Sequence, residues 1–277
     1  MACPLNSGVF AVNSEAPRKH PVAWITGASQ GIGRALAIEL ASRGYRVAIS
    51  ARNENKLQKL ASVSRNFPIG GEMQAFPLDV TDASAVIATL DRIEQEMGAV
   101  DIAVLNAGTH KPTPLNEFNA EDVAALFDLN VMGSVKVLDP LLKRFLPRAR
   151  GHIAVVASLA GYRGLPMAAG YGASKAALHN LCESLSIELR GTGVKLQVVN
   201  PGFVKTPLTD LNEFPMPSLI GAEQAAEIIA DGLASERYEI RFPTVFAGVM
   251  GLLKHFPHSL YSWIIGKQTG YGAKARG

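Results

Sequence analysis

The chain has little cysteine: two residues in 277, Cys3 and Cys182, far apart in the sequence. Two distant cysteines form no disulfide framework, which excludes the class of small disulfide-stabilised secreted domains and favours a reducing compartment. The histidines are scattered, without the H-E-x-x-H or C-x-x-C spacings that are typical of zinc sites. We therefore expect no metal site and a cytoplasmic protein.

The chain also lacks a strong charge imbalance. Its formal net charge is +3, and no block of lysine and arginine marks a nucleic-acid surface, so we expect no nucleic-acid partner. Residues 1–20 lack the basic start and unbroken apolar core of a secretion signal, which predicts a mobile tail. No Ser/Gly/Pro-rich linker and no repeat divides the rest, so 21–243 is predicted as one domain, with 244–277 as an extension of it.

Short apolar runs alternate with helical patterns along the chain. This order is typical of an α/β fold in which helices cover both faces of a doubly wound, Rossmann-like parallel sheet with right-handed crossovers. About seven strands are predicted, at 22–26, 46–51, 73–78, 100–106, 152–158, 195–200 and 237–242.

A glycine-rich turn follows the first run. Val22 to Ile25 stop at T-G-A-S-Q-G-I-G, Thr26 to Gly33, and a helical pattern begins there. Glycines let a backbone approach a pyrophosphate closely, and the N–H groups of the helix N-terminus favour an anion. We assign the three glycines Gly27, Gly31 and Gly33 to the tight turn, the close approach and the helix-on-strand contact. A purely structural loop is the alternative.

Three further motifs close other predicted strands. They are Asp79-Val80, Asn106-Ala107-Gly108 and Pro201-Gly202. Ligands of open parallel sheets bind outside the carboxyl ends of the strands, so these segments are expected to converge on one site. Taken singly, Asp79 also suits a helix cap, and the other two motifs suit turns.

Tyr171 and Lys175 are separated by one helical turn, which puts them on the same face of a helix. A nearby ammonium favours phenolate, so we expect it to lower the pKa of the tyrosine and make the phenol a useful acid. Ser158, at the end of an apolar strand, could hold a substrate carbonyl oxygen beside the phenol. An ordinary tyrosine and lysine on a half-buried helix are the alternative.

Taken together, these motifs resemble those of the short-chain dehydrogenase/reductase family, from about Val22 to about Pro243. The family's T-G-x-x-x-G-x-G, D-V, N-A-G, Y-x-x-x-K and P-G motifs occur in order, with a helix asparagine at Asn130. The resemblance implies that Tyr171 is the acid/base and that Ser158 orients the substrate oxygen. It also implies that Lys175 holds the nicotinamide ribose and that Asn130 anchors a water of the proton relay.

The resemblance also implies a nicotinamide dinucleotide cofactor. The residues expected to bind it are Gly27, Ser29, Gln30, Gly31, Ile32, Gly33, Arg52, Asp79, Val80, Asn106, Ala107, Gly108, Tyr171, Lys175, Pro201, Gly202, Val204 and Thr206. At the end of the second strand, Ala51 occupies the position where NAD enzymes carry an acid, and Arg52 follows it. Because arginine suits a 2′-phosphate, we expect NADP(H) in preference to NAD(H). A solvated loop charge is the alternative for Arg52.

Two apolar segments bear on the substrate and on the partners, and neither segment identifies them from its sequence alone. Residues 203–221 occupy the position of the family's substrate lid, and their apolar side chains predict an apolar, lipid-like substrate. The C-terminal segment from Thr244 suits a cover for the pocket, a subunit interface or a peripheral membrane anchor. Its few cations favour the first two. A homo-oligomer, dimer or tetramer, is expected.

The sequence therefore predicts an NADP(H)-dependent oxidoreductase that interconverts a ketone and a secondary alcohol, a carbonyl reductase or alcohol dehydrogenase. A dinucleotide-binding sensor or scaffold with little turnover is the alternative. A binding protein has no chemical need for Ser158 and Tyr171 together, which favours the enzyme.

Overall fold

The computed structural model describes residues 20–64, 67, 71–209 and 216–271. The predicted N-terminal tail therefore lies outside the described residues, except for His20. The same holds for 210–215, in the middle of the expected lid, and for 272–277.

Seven parallel strands form one sheet in the order β3-β2-β1-β4-β5-β6-β7. They are β1 Val22–Thr26, β2 Arg46–Ser50, β3 Glu72–Ala75, β4 Ile102–Leu105, β5 Gly151–Val156, β6 Val194–Pro201 and β7 Glu239–Phe242. The reversal of strand order between β1 and β4 creates the crevice in which doubly wound sheets bind ligands. The predicted fold class and strand positions are confirmed.

The connecting helices alternate with the strands. They are α1 Gly31–Ser42, α2 Glu54–Val63, α3 Ala83–Met97, α4 Ala120–Phe127, α5 Gly133–Arg148, α6 Ala169–Glu188 and α7 Ala222–Leu233, followed by α8 Thr244–Leu253 and α9 His258–Thr269. Several begin at a side-chain cap. Asp82, for example, accepts hydrogen bonds from the N–H groups of Ser84 and Ala85 at 2.9 and 3.0 Å, which satisfies free donors at the start of α3.

Apolar cores lie on both faces of the sheet, as β1 illustrates. All of its residues are buried; Val22 and Trp24 contribute to one core, and Ala23 and Ile25 to the other. The first core is completed by α3, α5 and α6, and the second by α1, α2 and α7. A strand buried on both faces reads as a continuous apolar run, which is why β1 could be recognised in the sequence.

The C-terminal extension forms the helical pair α8 and α9. Only Ala247 and Met250 of α8 and Tyr261 of α9 are buried. Within the residues that the structure describes, no helix is both long enough and apolar enough to span a bilayer.

Candidate active site

The glycine turn lies against the carboxyl end of β4. Gly27 has φ +68°, a left-handed conformation that favours glycine, and a Cβ there would lie 2.8 Å from the Ala107 Cα. A Cβ on Gly33 would lie 2.4 Å from the Asn106 Nδ2 and 2.5 Å from the Gly27 carbonyl oxygen. Side chains at these positions would force the turn away from the sheet, so the glycines permit the close contact expected of them.

Hydrogen bonds join the ends of β1 and β4. Asn106 Nδ2 donates to the carbonyl oxygens of Thr26 and Gly27 at 3.0 and 3.2 Å. The backbone N–H groups of Asn106 and Ala107 both donate to the Thr26 hydroxyl at 3.1 Å. The two central strand ends are thus held as one rigid floor.

A cavity of about 350 Å³ opens above this floor, next to the N-terminus of α1. Gln30 at that terminus makes no capping bond, and the first turn of α1 has no acidic residue, so its N–H groups suit an anionic ligand. Expected residues that line the cavity are Gly27, Ser29, Gln30, Gly31, Ile32, Arg52, Asp79, Val80, Asn106, Ala107, Gly108 and Thr206.

The structure adds lining residues that the sequence did not indicate. They are Asn53, Lys56, Leu78, Leu129 and Pro207; Ala51, at the position where NAD enzymes carry an acid, and Leu208, in the expected lid, line the cavity as well. Lys56 Nζ donates to Gln30 Oε1 at 3.3 Å and so lies beside the α1 N-terminus. It follows the capping residue Asn53 by three positions, which is the only sequence signal that could have placed it there.

Other expected cofactor residues lie outside the cavity lining. Gly33 packs beneath the turn, and Val204 is buried and pairs with Ile220 in an isolated bridge. Pro201 ends β6, and Gly202 lies where a Cβ would contact Phe246 at 3.0 Å. These residues position the walls of the site in this structure.

Asp79 bonds to Thr81 rather than capping a helix. Its Oδ1 accepts from the Thr81 N–H at 3.0 Å and from the Thr81 hydroxyl at 2.8 Å. These bonds, with a smaller contribution from the Arg52 guanidinium, lower the pKa of the Asp79 carboxyl. Asp82 is the residue that caps α3, so the alternative interpretation of Asp79 as the cap is wrong.

Ser158 and Tyr171 meet beyond the end of β5. Ser158 lies two residues past the strand, where its Oγ accepts from the Ala160 N–H at 3.1 Å. The Ser158 Oγ also donates to the Pro201 carbonyl oxygen at 3.4 Å, and it lies close enough to the Tyr171 hydroxyl to influence the pKa of that phenol. The two hydroxyl groups that sequence motifs had linked are therefore adjacent.

Burial raises the pKa of Tyr171, and the nearby Ser158 hydroxyl lowers it by less. The expectation of a lowered pKa is thus wrong for this site, because the cost of desolvating phenolate exceeds the stabilisation that its neighbours provide. The phenol remains protonated at neutral pH, in the form that can donate a proton.

Lys175 is 4% exposed, and its Nζ donates to the Val156 carbonyl oxygen at 2.9 Å. The Nζ lies 5.8 Å from the centroid of the Tyr171 ring, as the helical spacing predicts. Burial lowers the pKa of Lys175 from 10.5 to about 8. A Cβ on Gly108, which lines the cavity, would lie 3.5 Å from this Nζ, so the cavity adjoins the cluster of Ser158, Tyr171 and Lys175 at Gly108.

Asn130 is fully buried in a single π-helical turn between α4 and α5. Its Oδ1 accepts from the Thr109 N–H at 2.8 Å, and its Nδ2 donates to the Thr109 carbonyl and the Ser174 hydroxyl, both at 3.0 Å. It thereby ties the segment after β4 to the helix that carries Tyr171 and Lys175.

Two histidines of the cluster were missed. The His110 ring contacts Tyr171 edge-on, with the centroids 4.7 Å apart. The His179 Nε2 lies 3.2 Å from the Ser158 carbonyl oxygen, a distance that suits a hydrogen bond donated by the ring N–H. His179 follows Lys175 by four residues, so helical spacing could have revealed it. No local pattern indicated His110.

Across the described ranges, no group of His, Cys, Asp and Glu side chains could hold a metal ion. The described side chains place a phenol, which can donate a proton, close to a cavity that suits an anionic ligand.

Comparison with known proteins agrees with this geometry. Residues 21–214 match the model of the short chain dehydrogenase family. The chain is 39% identical over 246 residues to an uncharacterized oxidoreductase of Myxococcus xanthus. The aligned region covers 89% of this chain and 96% of that protein.

Solved structures show the same fold. An alcohol dehydrogenase from Thermococcus sibiricus, complexed with 5-hydroxy-NADP, has a TM-score of 0.73 at 28% identity. The match covers 82% of this chain and 97% of that chain. A short chain dehydrogenase/reductase from Burkholderia phymatum, in complex with NAD, has a TM-score of 0.75 at 28% identity, covering 84% and 92%. This chain is an oxidoreductase that belongs to the short-chain dehydrogenase/reductase family.

Proposed function

We propose that the protein is an NADP(H)-dependent oxidoreductase that interconverts a ketone and a secondary alcohol, with Tyr171 as the acid/base. One observation carries the proposal. The neighbouring side chains of Ser158 and Tyr171 adjoin, through Lys175 and Gly108, a cavity whose lining suits an anionic dinucleotide.

The cavity residues fit a nicotinamide dinucleotide. The close approach permitted by Gly27 and the N–H groups at the start of α1 suit a pyrophosphate. When bound, such a cofactor supplies or accepts the hydride. The protein contributes orientation, a proton and charge stabilisation.

In the reducing direction, the Ser158 hydroxyl holds the substrate carbonyl oxygen and Tyr171 donates its proton as negative charge develops there. The raised pKa of Tyr171 keeps this proton in place at neutral pH. Lys175, charged below about pH 8, stabilises the phenolate that remains. In the oxidising direction, Tyr171 takes the proton back.

Asn130 supports this proton transfer without contacting the substrate. Both Nδ2 hydrogens and one Oδ1 lone pair are engaged with Thr109 and Ser174, which leaves one Oδ1 lone pair as the side-chain position for a relay water. We therefore propose that Asn130 fixes the loop and the helix and, through this lone pair, anchors that water.

The preference for NADP(H) rests on charge at the end of β2. Ala51 provides no carboxylate for a ribose 2′-OH, whereas Arg52 and Lys56 line the cavity with two cations. A guanidinium and an ammonium both favour a 2′-phosphate. The similar structures contain either cofactor, so the preference is carried by these residues alone.

We propose an apolar, lipid-like ketone as the substrate. Phe203 stacks on Phe246 with the ring centroids 5.4 Å apart, and Leu208 lines the cavity. Leu165 and Met167 precede the catalytic helix. Leu211 and Phe214 of the expected lid lie outside the described residues.

A screen of aliphatic, steroidal, acyl-thioester and sugar-derived ketones tests the proposal, with NADPH or NADH consumption followed by absorbance. We expect turnover of apolar ketones with NADPH and little turnover of sugar-derived ones. Tight NADPH binding without turnover of any ketone would identify the sensor or scaffold instead. Light scattering of the same sample tests the expected dimer or tetramer.

A further inference from the structure

Four polar side chains form a cluster next to Ser158, outside the proton-transfer steps. His179 belongs to α6, Asn200 to β6 and Glu239 to β7, and Tyr162 follows Ser158 by four residues. We call these four residues the Ser158 support cluster.

His179 holds the backbone of Ser158. Its Nε2 lies 3.2 Å from the Ser158 carbonyl oxygen, which also accepts from the Gly161 N–H at 3.0 Å. Burial lowers the pKa of His179, so the ring is neutral at pH 7 and carries one N–H. Because a carbonyl oxygen can only accept, this hydrogen lies on Nε2, and the ring donates to Ser158.

Tyr162 and Glu239 hold the other end of the same turn. The Tyr162 ring meets the His179 ring edge-on, with the centroids 5.4 Å apart. The Tyr162 hydroxyl donates to Glu239 Oε1, which also accepts from Asn200 Nδ2 at 2.6 Å. Burial and the Glu239 carboxylate raise the pKa of Tyr162, so the phenol remains the donor. The His179 ring is therefore fixed by packing as well as by its hydrogen bond.

The contacts of the Ser158 hydroxyl itself are weaker or local. Its bond to the Pro201 carbonyl oxygen is 3.4 Å long, which is long for a bond donated by a hydroxyl and leaves the group available to a substrate. Its other contact is with Ala160 of the same turn. The hydroxyl is therefore aimed by the turn that carries it, residues 158–162, and the Ser158 support cluster holds that turn at both ends.

We propose that His179 is a positioning residue for the ketone reduction, and that it holds the Ser158 hydroxyl where that group meets the substrate oxygen. His179 acts through the backbone of Ser158 rather than on the reacting atoms. Small displacements of an orienting group can cost a large part of the rate. The inference rests on the proposed function, because it gives His179 a part in the role proposed there for Ser158.

Two amide variants separate positioning from simple filling of space. Glutamine is long enough to present an N–H near the position of the His179 Nε2, whereas asparagine reaches only the position of Nδ1. With a ketone identified by the screen and saturating NADPH, His179→Gln should keep kcat within about threefold of the parent, and His179→Asn should lose about tenfold. The Kd for NADPH should stay within a factor of about two in both variants.

A double substitution tests whether His179 acts through Ser158. Ser158→Ala removes the hydroxyl that His179 is proposed to aim, so adding His179→Asn to it should lower kcat by less than about twofold more. His152→Asn is the matched control. His152 lies at the opposite end of β5 from Ser158, and its Nε2 is 2.7 Å from Gln197 Oε1. This variant should lose stability in chemical denaturation and keep the parent kcat per bound NADPH.

Three outcomes would overturn the inference alone, provided that Ser158→Ala lowers kcat. The first is an equal kcat for His179→Gln and His179→Asn. The second is a further tenfold loss when His179→Asn is added to Ser158→Ala. The third is that His179→Asn lowers only the free energy of unfolding, as His152→Asn does, which would make the histidine purely structural. If the parent turns over no ketone, or Ser158→Ala keeps the parent kcat, the proposed function fails and this inference fails with it.

Discussion

Replacing Lys175 with methionine measures the cost of keeping a charge in the site. Lys175 is 4% exposed, and burial lowers its pKa from 10.5 to about 8. Each pKa unit corresponds to about 1.4 kcal/mol. At pH 7 the charged side chain therefore destabilises the folded, cofactor-free protein by about 3 kcal/mol relative to a lysine with an ordinary pKa.

Methionine has a similar length and no charge, so Lys175→Met removes this cost. It also leaves the Val156 carbonyl without its 2.9 Å hydrogen bond, which costs about 1 kcal/mol. The free energy of unfolding at pH 7 should rise by about 2 kcal/mol, while ketone reduction is lost. A change that stabilises the fold and abolishes activity is expected only if the lysine is kept for function.

The pH dependence gives the sharper test. Between pH 8 and 10.5 the unfolded chain holds a proton on Lys175 that the folded chain has released, so the stability of the parent increases with pH in this window. The variant lacks this contribution. Its advantage over the parent should therefore be full below pH 8, decrease as the pH rises, and become a deficit of about 1 kcal/mol towards pH 10.5, where only the lost hydrogen bond remains; chemical denaturation without cofactor at matched protein concentration measures it.

Lys143→Met is the control, because that lysine side chain is 70% exposed on α5 and pairs with Asp139. It should change stability by less than about 1 kcal/mol at every pH. If the difference between Lys175→Met and the parent is constant from pH 7 to pH 10.5, Lys175 does not carry a depressed pKa and the reasoning fails.

Two further predictions concern the cofactor cavity. Ala51→Asp combined with Arg52→Ile should move the ratio of kcat/KM for NADPH over NADH at least about tenfold towards NADH, because a phosphate-binding cation is replaced by a ribose-binding carboxylate; an unchanged ratio would assign phosphate recognition elsewhere. Gly33→Ala should destabilise the fold by about 2 kcal/mol and abolish NADPH binding in a fluorescence titration, because its Cβ would lie 2.4 Å from the Asn106 Nδ2. Gly248→Ala, whose Cβ meets no atom within 4 Å, should leave both unchanged or slightly improved, and equal effects from the two variants would contradict the account.

The sequence predicted what depends on local pattern. The apolar run of β1 indicated a strand buried on both faces. The glycines after it indicated a turn that packs too closely against neighbouring backbone to leave room for side chains. The four-residue spacing of Tyr171 and Lys175 placed their side chains together correctly. These features are encoded within a few consecutive residues, so periodicity reveals them.

Features that depend on tertiary burial were missed. The pKa of Tyr171 is raised because desolvation exceeds the effect of its neighbours, and no spacing rule measures desolvation. His110 contacts Tyr171 from a segment that is distant in sequence, whose neighbouring residue Thr109 is joined through Asn130 to Ser174 of α6. The exposure of Val249 and Trp263 likewise follows from how α8 and α9 pack, which composition alone does not determine.

The central claim is that Tyr171 transfers the proton, and Tyr171→Phe tests it most directly. The substitution removes one hydroxyl and keeps the ring that contacts His110. With a ketone identified by the screen, kcat should fall about 10³-fold while the Kd for NADPH stays within a factor of about two, because only the acid is lost. Turnover within a few-fold of the parent, with the cofactor bound as before, would contradict the account.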